Sequence, residues 1–259
     1  MDDPSLAVLA LLALAALSAG FVDSVVGGGG LIQLPALVLA LPHAAPAQLL
    51  ATNKLGSVCG TSVSSLTYYR RVRPSLRAVA PLMAAAFAGS GVGALVASMI
   101  PRSAFDPVVL VAMVAVGVFV LARPELGRET RLRWHGRRRT LAVCVLGAVV
   151  GFYDGALGPG TGSFLVIGLV GVLGYGFLEG SAQARMANWA TNLAAFLVFL
   201  PQGAVLWQTG LVLGAANLTG SYLGARAAVA RGSAFVRAFF VLVVGAFAVR
   251  IGGGLAGWW

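Results

Sequence analysis

Two carboxylates sit where the sequence is otherwise apolar, and each stands just ahead of a cluster of glycines. Gly20-Phe21-Val22-Asp23 leads into Gly27, Gly28, Gly29 and Gly30. Gly151-Phe152-Tyr153-Asp154, 131 residues later, leads into Gly158, Pro159, Gly160, Thr161 and Gly162. A carboxylate is costly inside a bilayer and glycine clusters interrupt helices there, so both features demand a reason. Two chemistries fit the aspartates. Desolvation favours the neutral form of a buried carboxylate, which makes each a candidate proton carrier coupled to a solute. Alternatively, each caps a broken helix by accepting backbone N–H bonds. Asp23 is the preferred carrier, because four glycines leave its segment less rigid than the one holding Pro159.

The glycines have a second use. Gly27, Gly28, Gly29 and Gly30, and likewise Gly158, Gly160, Thr161 and Gly162, let backbone N–H groups converge, and the helix that follows adds its positive dipole end. Both favour an anion; the bland alternative is close helix packing. Thr52-Asn53 and Thr191-Asn192 are polar pairs in apolar surroundings. They can complete the hydrogen bonds of an oxyanion without adding charge, or tie helices together. Lys54 and Arg185 can attract an anion, or snorkel to the interface. Gln183 and Asn188 add polarity around Arg185.

The elements that position these residues are apolar and numerous. The chain has 259 residues, 59% hydrophobic and only 10% charged, with a mean hydropathy of +0.90. A soluble domain carries about 25% charge. Ten apolar segments are expected over 5–26, 30–41, 47–68, 76–98, 105–121, 140–157, 161–173, 182–200, 205–223 and 234–252. The second and seventh are too short to span a core of about 30 Å comfortably, and each follows a glycine cluster. The expected fold is therefore all-α: a polytopic helical membrane protein with two repeats and paired broken or re-entrant helices. Residues 1–121 form the first repeat, 122–139 a basic cytoplasmic linker with seven arginines, and 140–259 the second repeat. The 131-residue offset recurs between Gly89-Ser90, Gly93-Ala94 and Gly220-Ser221, Gly224-Ala225. Ser103-Ala104-Phe105 matches Ser233-Ala234-Phe235 one residue out of register.

Charge sets the orientation. With ten crossings and the N-terminus outside, Arg70, Arg71, Arg73, Arg77, the linker arginines, Arg226, Arg231 and Arg237 all fall inside, as the positive-inside rule requires. Five crossings per half make the halves inverted. Eight full spans with the N-terminus inside would put Arg226, Arg231 and Arg237 outside, so the inverted arrangement fits better. Tyr68 and Tyr69 beside these arginines read as an interface belt, with Trp207, Trp258 and Trp259 in similar roles.

The net charge of +10 comes from arginines in short linkers without interleaved aromatics, which points to membrane orientation and no nucleic acid partner. Cys59 and Cys144 show no metal or redox spacing, and His43 and His135 no partner pattern. No cofactor or metal is expected, and no phosphate-binding loop of an ATP motor is present in the sequence. The acidic start Met1-Asp2-Asp3 reads as the lead to a retained first helix rather than a signal peptide.

The stretch from Gly20 through Asp23, the four glycines and Gln33 to Pro35, followed by Ala51-Thr52-Asn53-Lys54-Leu55-Gly56, resembles the TauE/SafE sulfite exporter family, also called the toluene-sulfonate uptake permease family. The likeness covers nearly the whole chain, more loosely around Asp154 to Gly162 and Ala190-Thr191-Asn192. It implies a carrier in the inner membrane of a prokaryote, with about eight helices in two repeats. It also implies a substrate such as sulfite, an organosulfonate or a related small anion, often with a proton or other coupling ion. A carrier of carboxylates, a membrane-embedded enzyme and a non-transporting membrane protein are the competing classes; neither cysteine adjoins a His, an Asp or a glycine cluster, which argues against the enzyme.

Overall fold

The structure is a computed structural model and describes residues 4–97, 99 and 132–255. Among these, every regular element is helical. α1 (Leu6–Val26) starts at Ser5, whose hydroxyl accepts the Val8 N–H, and stops at Gly27, whose φ of 90° only glycine adopts without strain. α2 (Gly30–Ala40) follows directly. α3 (Pro46–Val72) has proline at its first position, and the Gln48 side chain accepts the Ala45 N–H at 2.9 Å. α4 (Leu76–Ala97) and α5 (Gly136–Ala156) are long. α6 (Thr161–Ile167) is short and passes into a π-helical turn over Gly168–Val172. α7 (Phe177–Phe199) and α8 (Trp207–Leu255) complete the chain, and α8 is broken at Gly232, with φ 72° and ψ −167°.

α1, α4 and α5 are long and apolar enough to cross a membrane. Leu6 is 86% exposed, and Leu11, Leu14, Leu141 and Val149 also face outward, as lipid-facing side chains do. α7 is the opposite case, buried on nearly every side although it carries Gln183, Arg185, Asn188 and Asn192. It begins at Phe177, five residues before the apolar run that starts at 182. Protein rather than lipid surrounds it, so hydropathy does not mark its start. The segments expected over 205–223 and 234–252 are joined without a loop into the broken α8. Helix α5 begins inside the expected linker, at Gly136. The expected segment 105–121, most of the linker and the Ser103-Ala104-Phe105 landmark lie outside the described residues.

The core has two apolar clusters. Leu12, Leu34, Leu37, Leu49, Phe199 and Leu213 belong to one; Val25, Leu31, Tyr68, Leu82, Leu165 and Ala225 belong to the other. α7 runs from the second cluster to the first, and its polar residues Asn188, Thr191 and Asn192 lie between Ala187 in one and Ala195 in the other. α2 turns back from Leu31 in the second cluster toward Leu37 in the first. The second cluster also marks the arginine-rich end. Val72, Leu132, Ala142, Val229 and Phe235 pack against it, and they neighbour Arg71, Arg133, Arg139 and Arg231 in the chain. Arg139 and Arg231 cover the rings of Tyr175 and Phe235 at 5.3 and 4.8 Å.

The helices of the two halves interlock. A Cβ at Gly89 or Gly93 on α4 would strike the carbonyl oxygen of Ala148 or Phe152 on α5. A Cβ at Gly220 or Gly224 on α8 would strike the carbonyl oxygen of Leu17 or Phe21 on α1. Gly220 and Gly224 stand 131 residues after Gly89 and Gly93, and Ala148 and Phe152 stand 131 after Leu17 and Phe21. Small residues permit this close backbone approach, and both contacts join one half of the chain to the other.

Candidate functional site

The two glycine-broken segments meet. The Ser163 N–H donates to the Gly27 carbonyl at 2.8 Å, and its hydroxyl donates to the Val26 carbonyl at 3.2 Å. A Cβ at Gly162 would lie 2.6 Å from the Gly27 Cα. A polar cavity of about 20 Å³ opens beside this crossing, enough for one water and not for a multi-oxygen anion. Asp23, Asp154, Asn53, Lys54 and Asn192 contribute to its wall together with Gly27, Gly29, Gly30, Gly158, Gly160, Thr161 and Gly162.

Each aspartate is held by a cation from the opposite half. Lys54 Nζ lies 2.6 Å from Asp154 Oδ2, and it also donates to Asn192 Oδ1 at 3.2 Å. Arg185 Nη1 lies 3.3 Å from Asp23 Oδ2 and also donates to the Asp23 carbonyl. Lys54 is 1% and Arg185 0% exposed, so neither snorkels. Removing a charged group from water costs several kcal/mol, which is recovered only with good geometry and further hydrogen bonds. That condition is met unevenly. Among the described residues, Arg185 Nε and Nη2 have no hydrogen-bond partner, nor has Asn53 Oδ1.

The surroundings of the two carboxylates differ. Asp23 accepts from the Gly29 N–H at 3.3 Å, just ahead of α2, and from Asn188 Nδ2 at 3.4 Å. Asp154 accepts from the Thr161 hydroxyl at 2.6 Å. Pro159 lies in the turn before α6, and its carbonyl accepts from the Tyr153 hydroxyl at 2.6 Å.

Four sequence candidates stand apart from the cavity wall. Gly28 is one. Thr52 accepts the Leu206 N–H at 3.1 Å and so ties α3 to the start of α8. The Thr191 hydroxyl donates to the Asn188 carbonyl at 2.9 Å, and its own carbonyl accepts from Ser90 at 2.7 Å. The Thr52 side chain ties two helices together, whereas the Thr191 hydroxyl bonds within α7. Arg185 stands behind Asp23. Conversely, Ser57, Asn188 and Asn217 line the cavity. Ser57 is four residues after Asn53 and Asn188 four before Asn192, a helical spacing that places each on its partner's face. Asn217 has no such signal, because its counterpart 131 residues earlier is Ala86. It donates to Gln33 Oε1 at 2.6 Å, and Gln33 in turn donates to the Asn53 carbonyl at 3.3 Å.

The chain is similar to "Probable membrane transporter protein ORF9" of Sinorhizobium sp, 36% identical over 97% of this chain and 95% of that one. It is also similar to a "Probable membrane transporter protein" of Haemophilus influenzae, 34% identical over 93% of both. "Probable membrane transporter protein YfcA" of Escherichia coli K12 is 34% identical over 94% of this chain and 89% of that one. No solved structure matches significantly. Residues 12–251 match the family described as sulfite exporter TauE/SafE, and the chain belongs to that family.

Proposed function

We propose that this protein is a secondary transporter of a small anion, a sulfite, organosulfonate or related sulfur-containing anion, in the inner membrane of a prokaryote. One observation carries the reading. Two basic and two acidic side chains, each pair spanning both halves, converge where the broken segments touch, beside a polar cavity between the apolar clusters. Buried charge at this depth marks a solute pathway. Discontinuous helices at a repeat interface are the usual setting for a transporter's binding site. Lys54 attracts the anion and Asn53 and Asn192 offer amides to it, while the glycines let the backbone close around it. Arg185 holds Asp23 in place. The small cavity is an occluded form, and separating the halves enlarges it. The sulfur preference rests on the family description, and a carboxylate is the chemical alternative. Reconstituted liposomes offered sulfite, sulfoacetate, taurine, thiosulfate and acetate test the reading. Saturable flux of at least one sulfur-containing anion supports it, and saturable flux of acetate alone moves the substrate to carboxylates. Absence of flux for all five overturns it.

The halves are inverted in this account, with residues 1–121 and 140–259 as the repeats and the linker cytoplasmic. The gathering of Arg71, Arg133, Arg139 and Arg231 at one end supports it. A cysteine placed at Ser233 is then expected to resist an impermeant thiol reagent in intact cells and to react after permeabilisation. Labelling in intact cells would favour eight full spans instead.

A further inference from the structure

The two carboxylates are wired differently, and the difference assigns a proton to one of them. Among the described residues, every donor on Asp23 is an N–H group, from Gly29, Asn188 and Arg185. Such a shell suits a carboxylate and offers a carboxylic acid proton no acceptor. At Asp154 the partner is a hydroxyl. Thr161 Oγ1 lies 2.6 Å from Asp154 Oδ1 and 2.9 Å from the Gly158 carbonyl oxygen. A hydroxyl has one proton and can satisfy only one of these acceptors. When Asp154 is protonated both are satisfied, because Asp154 donates to Thr161 and Thr161 donates to Gly158. The second proton therefore already has a hydrogen-bonded place.

Lys54 is the other half of the device. It is the single lysine in a chain with seventeen arginines, so a sequence that otherwise uses arginine has lysine here. An ammonium is a compact point charge with three donors, whereas a guanidinium is a wide planar fork. Two of those donors are engaged by Asp154 and Asn192, and the residue lines the cavity.

We infer that an incoming anion and the Asp154 carboxylate compete for the Lys54 ammonium, so that anion binding transfers Asp154 from Lys54 to a proton. The inference rests on the anion-transport reading. The balance is one anion and one proton entering the site together: the ammonium passes from carboxylate to anion, and the solvent proton ends on Asp154 Oδ1. Two anionic groups sharing one ammonium in a dry cavity repel, and protonating one removes the conflict. The other charged groups within reach are Asp23 and its partner Arg185, 3.3 Å apart. Tyr153, next to Asp154 in α5, donates its hydroxyl hydrogen bond to the Pro159 carbonyl. α4, packed along α5, has Arg77 in its first turn as its only titratable residue.

The experiment is isothermal titration of the purified full-length protein with thiosulfate and with sulfoacetate at pH 7, in two buffers of different ionisation enthalpy. Both anions stay ionised there, so any proton taken up goes to the protein. The wild type is expected to take up about one proton per anion. Asp154→Asn is expected to bind without proton uptake and at least as tightly. Thr161→Val, which removes the acceptor, is expected to lower proton uptake, and serves as the reading if Asp154→Asn does not fold. Wild-type binding without proton uptake overturns the inference and leaves anion transport standing, as does full uptake in Asp154→Asn or Thr161→Val. Failure of the wild type to bind or transport any anion of the panel overturns both.

Discussion

Replacing Lys54 with methionine should strongly destabilise the protein. The ammonium is 1% exposed and bonded to an equally buried carboxylate, so its loss leaves Asp154 with the Thr161 hydroxyl as its hydrogen-bond donor among the described residues. Breaking a buried ion pair by removing one partner costs about 3–5 kcal/mol. The double variant Lys54→Met with Asp154→Asn removes the stranded charge and should recover most of that loss, to within about 1 kcal/mol of wild type. Transport should be absent in both, because the anion has lost its cation. Thermal unfolding in detergent with transport measured in parallel separates the two roles. Recovery of both stability and transport in the double variant would show that the pair is structural.

The second large effect is expected at Gly27. Its φ of 90° is in the left-handed region, and a Cβ there would strike the backbone of Gly162 and lie 2.5 Å from the Ser163 nitrogen and Arg185 Nη2. An alanine in that conformation costs about 1–3 kcal/mol, and overpacking costs about as much again. The Ser163 N–H to Gly27 carbonyl bond, which joins the broken segments, is lost with it. Gly28→Ala is the control. Its Cβ would meet the Leu31 Cδ1 at an ordinary 3.6 Å and it stands off the cavity wall, so it should cost under about 1 kcal/mol. Equal stability and equal transport in the two variants would mean that the crossing of the segments does not matter.

The contrast between Gly27 and Gly28 shows where sequence reasoning stops. Four consecutive glycines announce a break, but only the folded crossing tells which of them touches the other segment. The aspartates and both glycine clusters were legible because a fixed offset repeats them. Ser57 and Asn188 were legible in principle, one helical turn from Asn53 and Asn192. The cation pairing was not. Lys54 and Asp154 are 100 residues apart and join opposite halves, and no local pattern encodes a contact that depends on how the halves interlock. The same holds for coupling. Asp23 was preferred from chain rigidity alone, whereas the donor-only shell around it and the hydroxyl beside Asp154 are tertiary facts. Asn217, with Ala86 as its repeat counterpart, shows that the halves are not equivalent where the site is built.

The central claim is that the anion binds in the cavity between the halves, and Asn53 tests it most directly. Its Oδ1 has no partner, while the bond from Gln33 goes to its backbone carbonyl, which alanine retains. Asn53→Ala should therefore keep the fold, and it removes the Nδ2 donor that a bound anion would accept from. A hydrogen bond to a charged group is worth about 1.5–3 kcal/mol, or about 10- to 150-fold in affinity. The measurement is the equilibrium dissociation constant of the transported anion for purified Asn53→Ala, matched to wild type in expression and melting temperature. The account predicts weakening in that range, and an unchanged dissociation constant in the folded variant would contradict it.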